Sequence, residues 1–146
     1  MDFASLVFSN KFITVPALAW AIAQSAKVVI SLAVSRKLDL TRLFGTGGMP
    51  SSHSAYVVTL ATVVGKNVGV DSAAFGITLA FSLVVMTDAA GVRRAAGKQA
   101  QLLNALMSTH FPGEAFYEKL KELLGHKPLE VLVGAILGIA AGLLLG

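Results

Sequence analysis

The sequence predicts an all-α integral membrane protein, a bundle of about four transmembrane helices with additional amphipathic interfacial helices. First, 55% of the 146 residues are hydrophobic, 14% are charged and the mean hydropathy is +0.73, a balance that argues against a soluble domain. Second, four apolar stretches reach about the 17 residues that a spanning helix needs. They are Phe12 to Val34, Ser54 to Val70, Ala73 to Ala90 and Leu129 to Leu145. We expect residues 1–146 to form a single membrane-embedded domain.

The positive charges lie on one side of these stretches. Three basic clusters follow the first stretch, follow the third and precede the fourth: Arg36, Lys37 and Arg42; Arg93, Arg94 and Lys98; Lys119, Lys121 and Lys127. The positive-inside bias places loops 35–50 and 91–127 on the cytoplasmic side of a bacterial inner membrane or its organellar equivalent. Because these cations flank apolar spans beside an anionic leaflet, we expect membrane lipids as partners and no nucleic acid.

The first apolar stretch carries one polar face. Gln24, Lys27 and Ser31 recur at i, i+3 and i+7, which places them together on one side of a helix. A lysine inside a membrane is costly unless it has an anionic partner or extends its amine to the interface. Two interpretations follow: Lys27 snorkels, or Lys27 and Gln24 face the bundle interior and bind an anionic ligand.

The second stretch is preceded by Gly47-Gly48-Met49-Pro50-Ser51-Ser52-His53-Ser54. Its glycines let the backbone approach a ligand, and its hydroxyls and imidazole supply hydrogen-bonding groups. Because the motif stands at the predicted N-terminus of a helix, unpaired N–H groups and the helix dipole favour phosphate or another anion there. The alternative is a serine-rich N-cap without a ligand.

The third stretch ends in an acid and two adjacent arginines, Asp88, Arg93 and Arg94. Arginine suits forked contacts with phosphate oxygens, whereas two arginines at a membrane boundary also serve as a simple anchor. Adjacent side chains on a helix point in different directions, so we expect one arginine to face the site and the other to pair with Asp88 or a lipid headgroup. Further on, the sequence predicts an amphipathic helix from Gly97 to Met107 and a charged helix from Glu114 to Leu124.

The fourth stretch begins at a proline turn between a histidine and a glutamate. Pro128 fits the first turn of a helix, and His126 precedes Glu130 by four residues. The carboxylate can therefore accept one imidazole N–H and fix the tautomer, which leaves the other ring nitrogen as a nucleophile or base. Of the two other histidines, His53 belongs to the serine motif and His110 is expected to be a loop residue.

Together these motifs resemble a small, divergent branch of the type-2 phosphatidic acid phosphatase superfamily. The superfamily carries a Pro-Ser-Gly-His element and a later His-x-x-x-Asp element, which appear here as Pro50 to His53 and His126 to Glu130. The divergent branch is also matched by Gly47 to Ser54, Asp88 to Arg94, Gln99 and Asn104. The resemblance spans most of the chain.

The resemblance implies a phosphatase without metal or cofactor that works through a phosphohistidine. His126, oriented by Glu130, would attack phosphorus, and His53 would protonate the leaving alkoxide and then activate water. The implied phosphate ligands are Lys27, Ser51, Ser52, Arg93 and Arg94, and the implied supporting residues are Gln24, Gly48, Asp88, Gln99 and Asn104.

Three features depart from the superfamily pattern. Its motif of lysine, six residues and Arg-Pro is absent, because Lys27 and Arg36 are too far apart and Lys37 stands in place of proline. Leu120 stands where an arginine is expected upstream of the nucleophile, a place that Arg93 or Arg94 would have to fill. Four spans instead of six raise the question of whether a homodimer completes the site.

We therefore expect a membrane lipid phosphatase that hydrolyses a phosphate monoester headgroup. A site on the inner side favours a phospholipid such as phosphatidylglycerophosphate or phosphatidic acid, and an isoprenoid diphosphate is the alternative substrate. A function of another class is also open, a non-catalytic membrane protein that binds lipid or another anion at the same motif. A transporter is disfavoured, since four short spans leave little room for alternating access.

Overall fold

The computed structural model describes residues 2–36, 48–110, 119–120, 122 and 124–146. These residues form helices and connecting segments, and no strand occurs among them. The helices are α1 (Phe3–Ser9), α2 (Lys11–Ser35), α3 (Ser52–Val68), α4 (Ala73–Ala90), α5 (Val92–His110) and α6 (Pro128–Leu145). The expectation of an all-helical membrane protein is confirmed.

The helices begin where short polar side chains can cap them. Asn10 accepts a hydrogen bond from the Phe12 N–H at the start of α2. Ser51 does the same for the Ser54 N–H at the start of α3. Each cap satisfies one of the N–H groups that a helix leaves unpaired. Helix α6 begins with Pro128, whose missing N–H is no loss at that position.

Helix α3 is the centre of the bundle and packs against α2, α4 and α6. Three glycines at four-residue spacing on α6 let it lie directly against α3. A Cβ on Gly134 would stand 2.3 Å from the Ser51 carbonyl oxygen, and one on Gly142 would stand 2.5 Å from the Thr62 Cβ. Gly138 lies between them, against Ala55. Small residues of this kind allow close backbone approach between membrane helices, and the contacts show that α3 and α6 run parallel.

Helices α2 and α4 run antiparallel to α3, which gives the bundle two chemically distinct ends. At one end Lys11 donates to the Asn67 side chain, near the end of α6. At the other, the Lys27 amine donates to the Ser52 hydroxyl at 3.2 Å. We call the end formed by residues 48–54 and 124–130 the histidine end. The opposite end, formed by residues 66–72 and 143–146, is the distal end.

Three helical stretches of the described chain are long and apolar enough to cross a membrane: Lys11–Ala33, Ala73–His110 and Pro128–Leu145. Helix α3, which corresponds to the second predicted stretch, is not among them: it has 17 residues and is enclosed by its neighbours. Length and composition thus support three spans where the sequence predicted four. Helix α4 is the opposite case, because Ile77, Phe81 and Val84 are all exposed. Such a surface is suited to lipid.

The segment after α5 differs from the prediction. The amphipathic helix predicted from Gly97 to Met107 lies within α5. The charged helix predicted for Glu114 to Leu124 is wrong where it is described, since residues 119, 120, 122 and 124 have no regular structure, while residues 114–118 lie outside the described part. The reason is Asn104, whose side chain accepts from the Leu120 N–H at 3.0 Å and donates to the Leu120 carbonyl at 2.9 Å.

Candidate active site

The N-termini of α3 and α6 meet at the histidine end. The Ser51 N–H donates to the Glu130 carbonyl oxygen at 2.9 Å, which ties the two helix starts together. Gly134 makes this possible, because a side chain there would collide with the Ser51 backbone. Since the positive ends of two helix dipoles converge, the local field favours an anion.

The serines of the motif divide into two kinds. Ser51 and Ser54 are fully buried, and the Ser51 oxygen accepts from both the Ser54 N–H and the Ser54 hydroxyl. Ser51 therefore acts as the N-cap, as the simpler interpretation of the motif expected. Ser52 is also buried, but its hydroxyl accepts from Lys27. Ser52 is the serine that connects the motif to the intramembrane lysine.

Lys27 lies inside the bundle and does not snorkel. Its side chain is only 3% exposed, and its amine reaches Ser52. Glu130 is near enough for an attractive electrostatic interaction, but no carboxylate of the described residues lies within ion-pair distance of the amine. Gln24 is buried on the same helix, one turn before Lys27. The polar face of α2 thus points at the two converging helix starts.

The two histidines named from the motifs lie side by side. The ring centroids of His53 and His126 are 6.3 Å apart, with the ring planes at 61°. His126 is 3% exposed, whereas His53 is exposed. Both rings belong to one chain, so their proximity does not require a second subunit. The third histidine, His110, lies at the end of α5 and contacts the Leu106 carbonyl.

His126 is held by one ring nitrogen. Its Nδ1 lies 3.1 Å from the Glu130 carboxylate, which also accepts from the Lys127 N–H at 3.1 Å. The other nitrogen, Nε2, is buried and has no hydrogen-bond partner among the described residues. Buried polar atoms nearly always have a partner. This imidazole nitrogen, beside two helix N-termini, is therefore available to contact a ligand.

Burial lowers the pKa of His126, and the hydrogen bond that the ring donates to Glu130 opposes this shift without cancelling it. Removal from water disfavours the charged ring, while a carboxylate partner favours it. Because the net direction is downward from a value near 6.5, His126 is neutral at pH 7. A neutral ring with Nδ1–H donated to Glu130 has its free electron pair on Nε2.

The backbone around His126 is fixed by contacts that the sequence motifs did not predict. The His126 N–H donates to the Ala89 carbonyl at the end of α4. Gly125 has φ +78°, and a Cβ there would stand 2.4 Å from the backbone nitrogen of Arg94. Only glycine allows this approach to the start of α5. The signal that could have predicted these contacts is the glycine immediately before the histidine.

The arginines flank His126 in two separate pockets. Arg93 lines a pocket with His53 and His126, and its Nε lies 2.5 Å from the Asp88 carboxylate. Arg94 lines a second pocket on the other side of Gly125 and His126. As expected, one arginine faces the histidines, but the same residue, Arg93, also pairs with Asp88. The pairing of Arg94 with a lipid headgroup stays a prediction. The ion pair with Arg93 offsets the negative charge of Asp88, which would otherwise repel an anion in the first pocket.

The remaining predicted residues are not all near the histidines. Gly48, with φ +84°, has its backbone close to the His126 ring. Gln99 is exposed on α5 and lines neither of the two pockets beside His126. Asn104 holds the segment at Leu120 and lies away from the rings. Gly47 lies outside the described residues.

The chain is similar to known proteins over most of its length. A family model described as the divergent PAP2 family matches residues 8–141 of the chain. An uncharacterized membrane protein of Bacillus subtilis strain 168, YuiD, is 47% identical over 135 residues, which covers 84% of this chain and 85% of YuiD. No solved structure matches the chain.

Proposed function

The chain belongs to the divergent PAP2 family, and from this premise we propose that it is a membrane lipid phosphatase that uses His126 as its nucleophile. It hydrolyses a phosphate monoester headgroup on the cytoplasmic side of the membrane. The observation that carries the proposal is the His126 ring, with Nδ1 on Glu130 and a buried, unpartnered Nε2 beside His53. This is the arrangement of an oriented nucleophile next to a second proton-carrying group.

The reaction has two steps. In the first, His126 Nε2 attacks phosphorus, a P–N bond forms, the P–O bond to the lipid breaks, and the His53 imidazolium gives its proton to the leaving alkoxide. In the second, neutral His53 takes a proton from water as its oxygen attacks phosphorus, a P–O bond forms, the P–N bond breaks, and inorganic phosphate leaves with the electron pair restored to His126 Nε2. Glu130 stabilises the His126 ring while it carries positive charge.

The charge that develops on the phosphoryl oxygens is met by groups already in place. Lys27 and Ser52 lie at the start of α3, where the helix N–H groups and dipole also point. Such donors act in a water-poor site without having to reorganise, and one of them is typically worth roughly a hundredfold to a thousandfold in rate. Arg93 lines the pocket beside His53 and His126 but shares its charge with Asp88.

Substrate entry requires movement of one ring. At a centroid distance of 6.3 Å the imidazoles leave little room between them, and Nε2 of His126 is shielded from solvent. His53 is the exposed partner and stands in the first turn of α3. We propose that its side chain turns aside when the phosphate enters and then contacts the leaving oxygen.

The substrate proposed is a phospholipid with a terminal phosphate, of the phosphatidylglycerophosphate or phosphatidic acid type. Its basis is the positive-inside bias, which assigns the histidine end to the side where phospholipids are made. An isoprenoid diphosphate is the substrate to compare with it, and non-catalytic binding of lipid or another anion is the competing function.

The test is phosphate release from short-chain phosphatidic acid, phosphatidylglycerophosphate and an isoprenoid diphosphate, in detergent with excess EDTA. Wild-type protein should turn over at least one of the phospholipids, and His53→Ala and His126→Ala should each lose at least about a hundredfold. The matched control is His110→Ala, which removes the exposed histidine at the end of α5 and should keep wild-type activity.

A second measurement separates the two histidines. After a short incubation with ³²P-labelled substrate, an acid-labile, base-stable phosphoprotein should form in wild-type and accumulate in His53→Ala, but not form in His126→Ala or His126→Asn. The asparagine keeps an N–H donor for Glu130, which guards against loss of folding. No phosphate release across the panel, or full activity in His126→Asn, would overturn the phosphatase proposal in favour of binding alone.

A further inference from the structure

A second polar pocket adjoins His126, and the cations that line it have no role in the proposed chemistry. It shares Gly125 and His126 with the pocket that Arg93 lines beside the two histidines, but it does not include His53. Its volume is about 290 Å³. One wall is a face of α5 and the other is the segment that leads to His126. The lining residues include Arg94, Lys98 and Gln101 from α5 and Glu122, Lys127 and Glu130 from the opposite side.

The cations of this pocket come from both walls. Arg94 and Lys98 are one turn apart on α5, so their side chains project from the same face. Lys127 stands across from them at the N-cap of α6. None of the three has an acidic side chain within ion-pair distance among the described residues. The convergence of unpaired cations from two elements is unlike a single row of surface lysines.

The two carboxylates of the pocket are already engaged. Glu130 accepts from the His126 ring and from the Lys127 backbone. Glu122 accepts from the Asn104 amide at 2.7 Å and lies 3.7 Å from the Lys119 amine. The negative charges of Glu122 and Glu130 are therefore partly offset by these partners. The pocket keeps an excess of positive charge beside His126.

We infer that this pocket binds a second anionic group of the same substrate molecule. The inference rests on the proposed function and narrows its substrate class to lipids that carry a terminal phosphate monoester and a further phosphate joined to it through a short alcohol spacer. Phosphatidylglycerophosphate has this chemistry, whereas phosphatidic acid has one phosphate. Arg94 then belongs to recognition of the second anion and not to the reacting phosphoryl group.

The position of the ring explains why a spacer is needed. His126 forms part of both pockets, so a substrate that fills both must reach from one side of the Gly125–His126 wall to the other. A diphosphate joins its phosphorus atoms through a single bridging oxygen, which is too short to pass around an imidazole ring. A three-carbon glycerol unit between two phosphates is long enough. The pocket therefore discriminates against isoprenoid diphosphates as well as against phosphatidic acid.

The experiment measures the ratio of kcat/KM for phosphatidylglycerophosphate to kcat/KM for phosphatidic acid, with the same short acyl chains. In the double variant Lys98→Gln, Lys127→Gln this ratio should fall roughly tenfold or more, which corresponds to about 1.4 kcal/mol, while turnover of phosphatidic acid stays within about twofold. The control is Arg36→Gln, which removes an exposed cation that lines neither pocket and should leave the ratio unchanged. An unchanged ratio in the double variant, or an equal loss on both lipids, overturns the inference.

Binding distinguishes failure of the subsite from failure of the proposed function. In His53→Ala, which leaves the second pocket intact, the phosphatidylglycerophosphate used above should bind more tightly than the phosphatidic acid, and Lys98→Gln, Lys127→Gln should abolish the difference. If wild-type protein releases no phosphate but this difference in affinity remains, the phosphatase proposal fails and the second anion site stands. If the affinities are equal, the second anion site fails whatever the activity.

Discussion

The two ends of the bundle each hold a lysine that reaches from one helix to another, and the surroundings of the two amines are opposite. At the distal end, Lys66 is exposed and donates to the carbonyl oxygens of Leu143 and Gly146, at 3.0 and 2.8 Å. At the histidine end, Lys27 is buried and donates to the Ser52 hydroxyl, beside the starts of two helices.

The difference lies in the sign of the local field. The C-terminal end of a helix is negative, so Lys66 compensates the charge of α6 and needs no further partner. The N-terminal end is positive, so Lys27 adds a third source of positive potential where α3 and α6 begin. No carboxylate of the described residues lies within ion-pair distance of Lys27, and a buried cation without a close partner destabilises a protein by several kcal/mol. Lys66 thus has a structural explanation, whereas the proposed role of Lys27 is to bind an anion that comes from outside.

The largest expected effect tests this comparison directly. Lys27→Met should lower kcat/KM by roughly a hundredfold to a thousandfold, because the phosphoryl oxygens lose a positioned cation. Its thermal unfolding midpoint in detergent should stay the same or rise, since an apolar side chain of similar size removes a buried charge. Lys66→Met should keep activity and lose about 0.3–1 kcal/mol of stability.

The comparison fails if Lys27→Met loses stability and keeps activity while Lys66→Met loses activity and keeps stability. A strongly destabilised Lys27→Met protein with normal turnover would mean that the amine serves the packing of α2 on α3. Lys27→Arg is the conservative control, which keeps the charge and should recover part of the activity.

Much of the histidine end could be predicted because its signals are local in the sequence. The spacing of His126 and Glu130 by four residues, across a proline that opens a helix, predicts their contact with no knowledge of the fold. The polar face of α2 and the position of Ser51 as a helix cap follow in the same way from periodicity and capping preferences. Apolar stretches predicted the helices themselves.

The rest depended on packing that a single sequence does not encode in a readable form. Arg93 and Arg94 face different pockets because Gly125 packs against the start of α5. The sequence Arg93-Arg94 by itself does not predict this contact. The helix predicted from Glu114 to Leu124 was overridden where it is described, because Asn104, distant in sequence, binds the backbone. Helix α3 was taken for an ordinary span, while its place in the centre makes it the frame of the site.

A smaller effect sharpens the account of Glu130. Glu130→Gln should lower kcat/KM by roughly tenfold to a hundredfold, as expected when a charge-assisted hydrogen bond worth about 1.5–3 kcal/mol becomes neutral. In the pH profile of wild-type kcat/KM, the loss of activity on the acidic side, the acidic limb, should lie below about pH 6.5. Burial lowers the pKa of His126, and the neutral ring is the proposed nucleophile. Glu130 raises that pKa, so its replacement should move the limb to still lower pH.

The pH profile of kcat/KM from about pH 4 to 9 measures this shift. The control is Glu122→Gln, which removes a carboxylate held by Asn104 and not by the histidine, and should leave the acidic limb in place. A limb that moves upward in Glu130→Gln would show that the carboxylate does not contact the ring during turnover.

The smallest effects come from adding one methyl group at matched positions along α6. Gly134→Ala at the histidine end and Gly142→Ala towards the distal end should each lose about 1–3 kcal/mol of stability, since the new Cβ meets Ser51 or Thr62 at 2.3–2.5 Å. Gly134→Ala should also lower turnover several-fold, because Ser51 must move and with it the start of α3. Gly142→Ala should keep full turnover per folded molecule.

Gly76→Ala is the matched control, because no atom of the described residues, apart from the adjoining backbone of α4, lies within 4 Å of the added Cβ. It should leave activity unchanged and match or slightly exceed wild-type stability, since alanine favours a helix by up to about 1 kcal/mol over glycine. Equal losses of turnover in Gly134→Ala and Gly142→Ala, measured against the folded fraction, would mean that the whole α3–α6 interface positions the site. Loss confined to Gly134→Ala would mean that the distal half of that interface supplies stability alone, so that chemistry depends only on where the two helices begin.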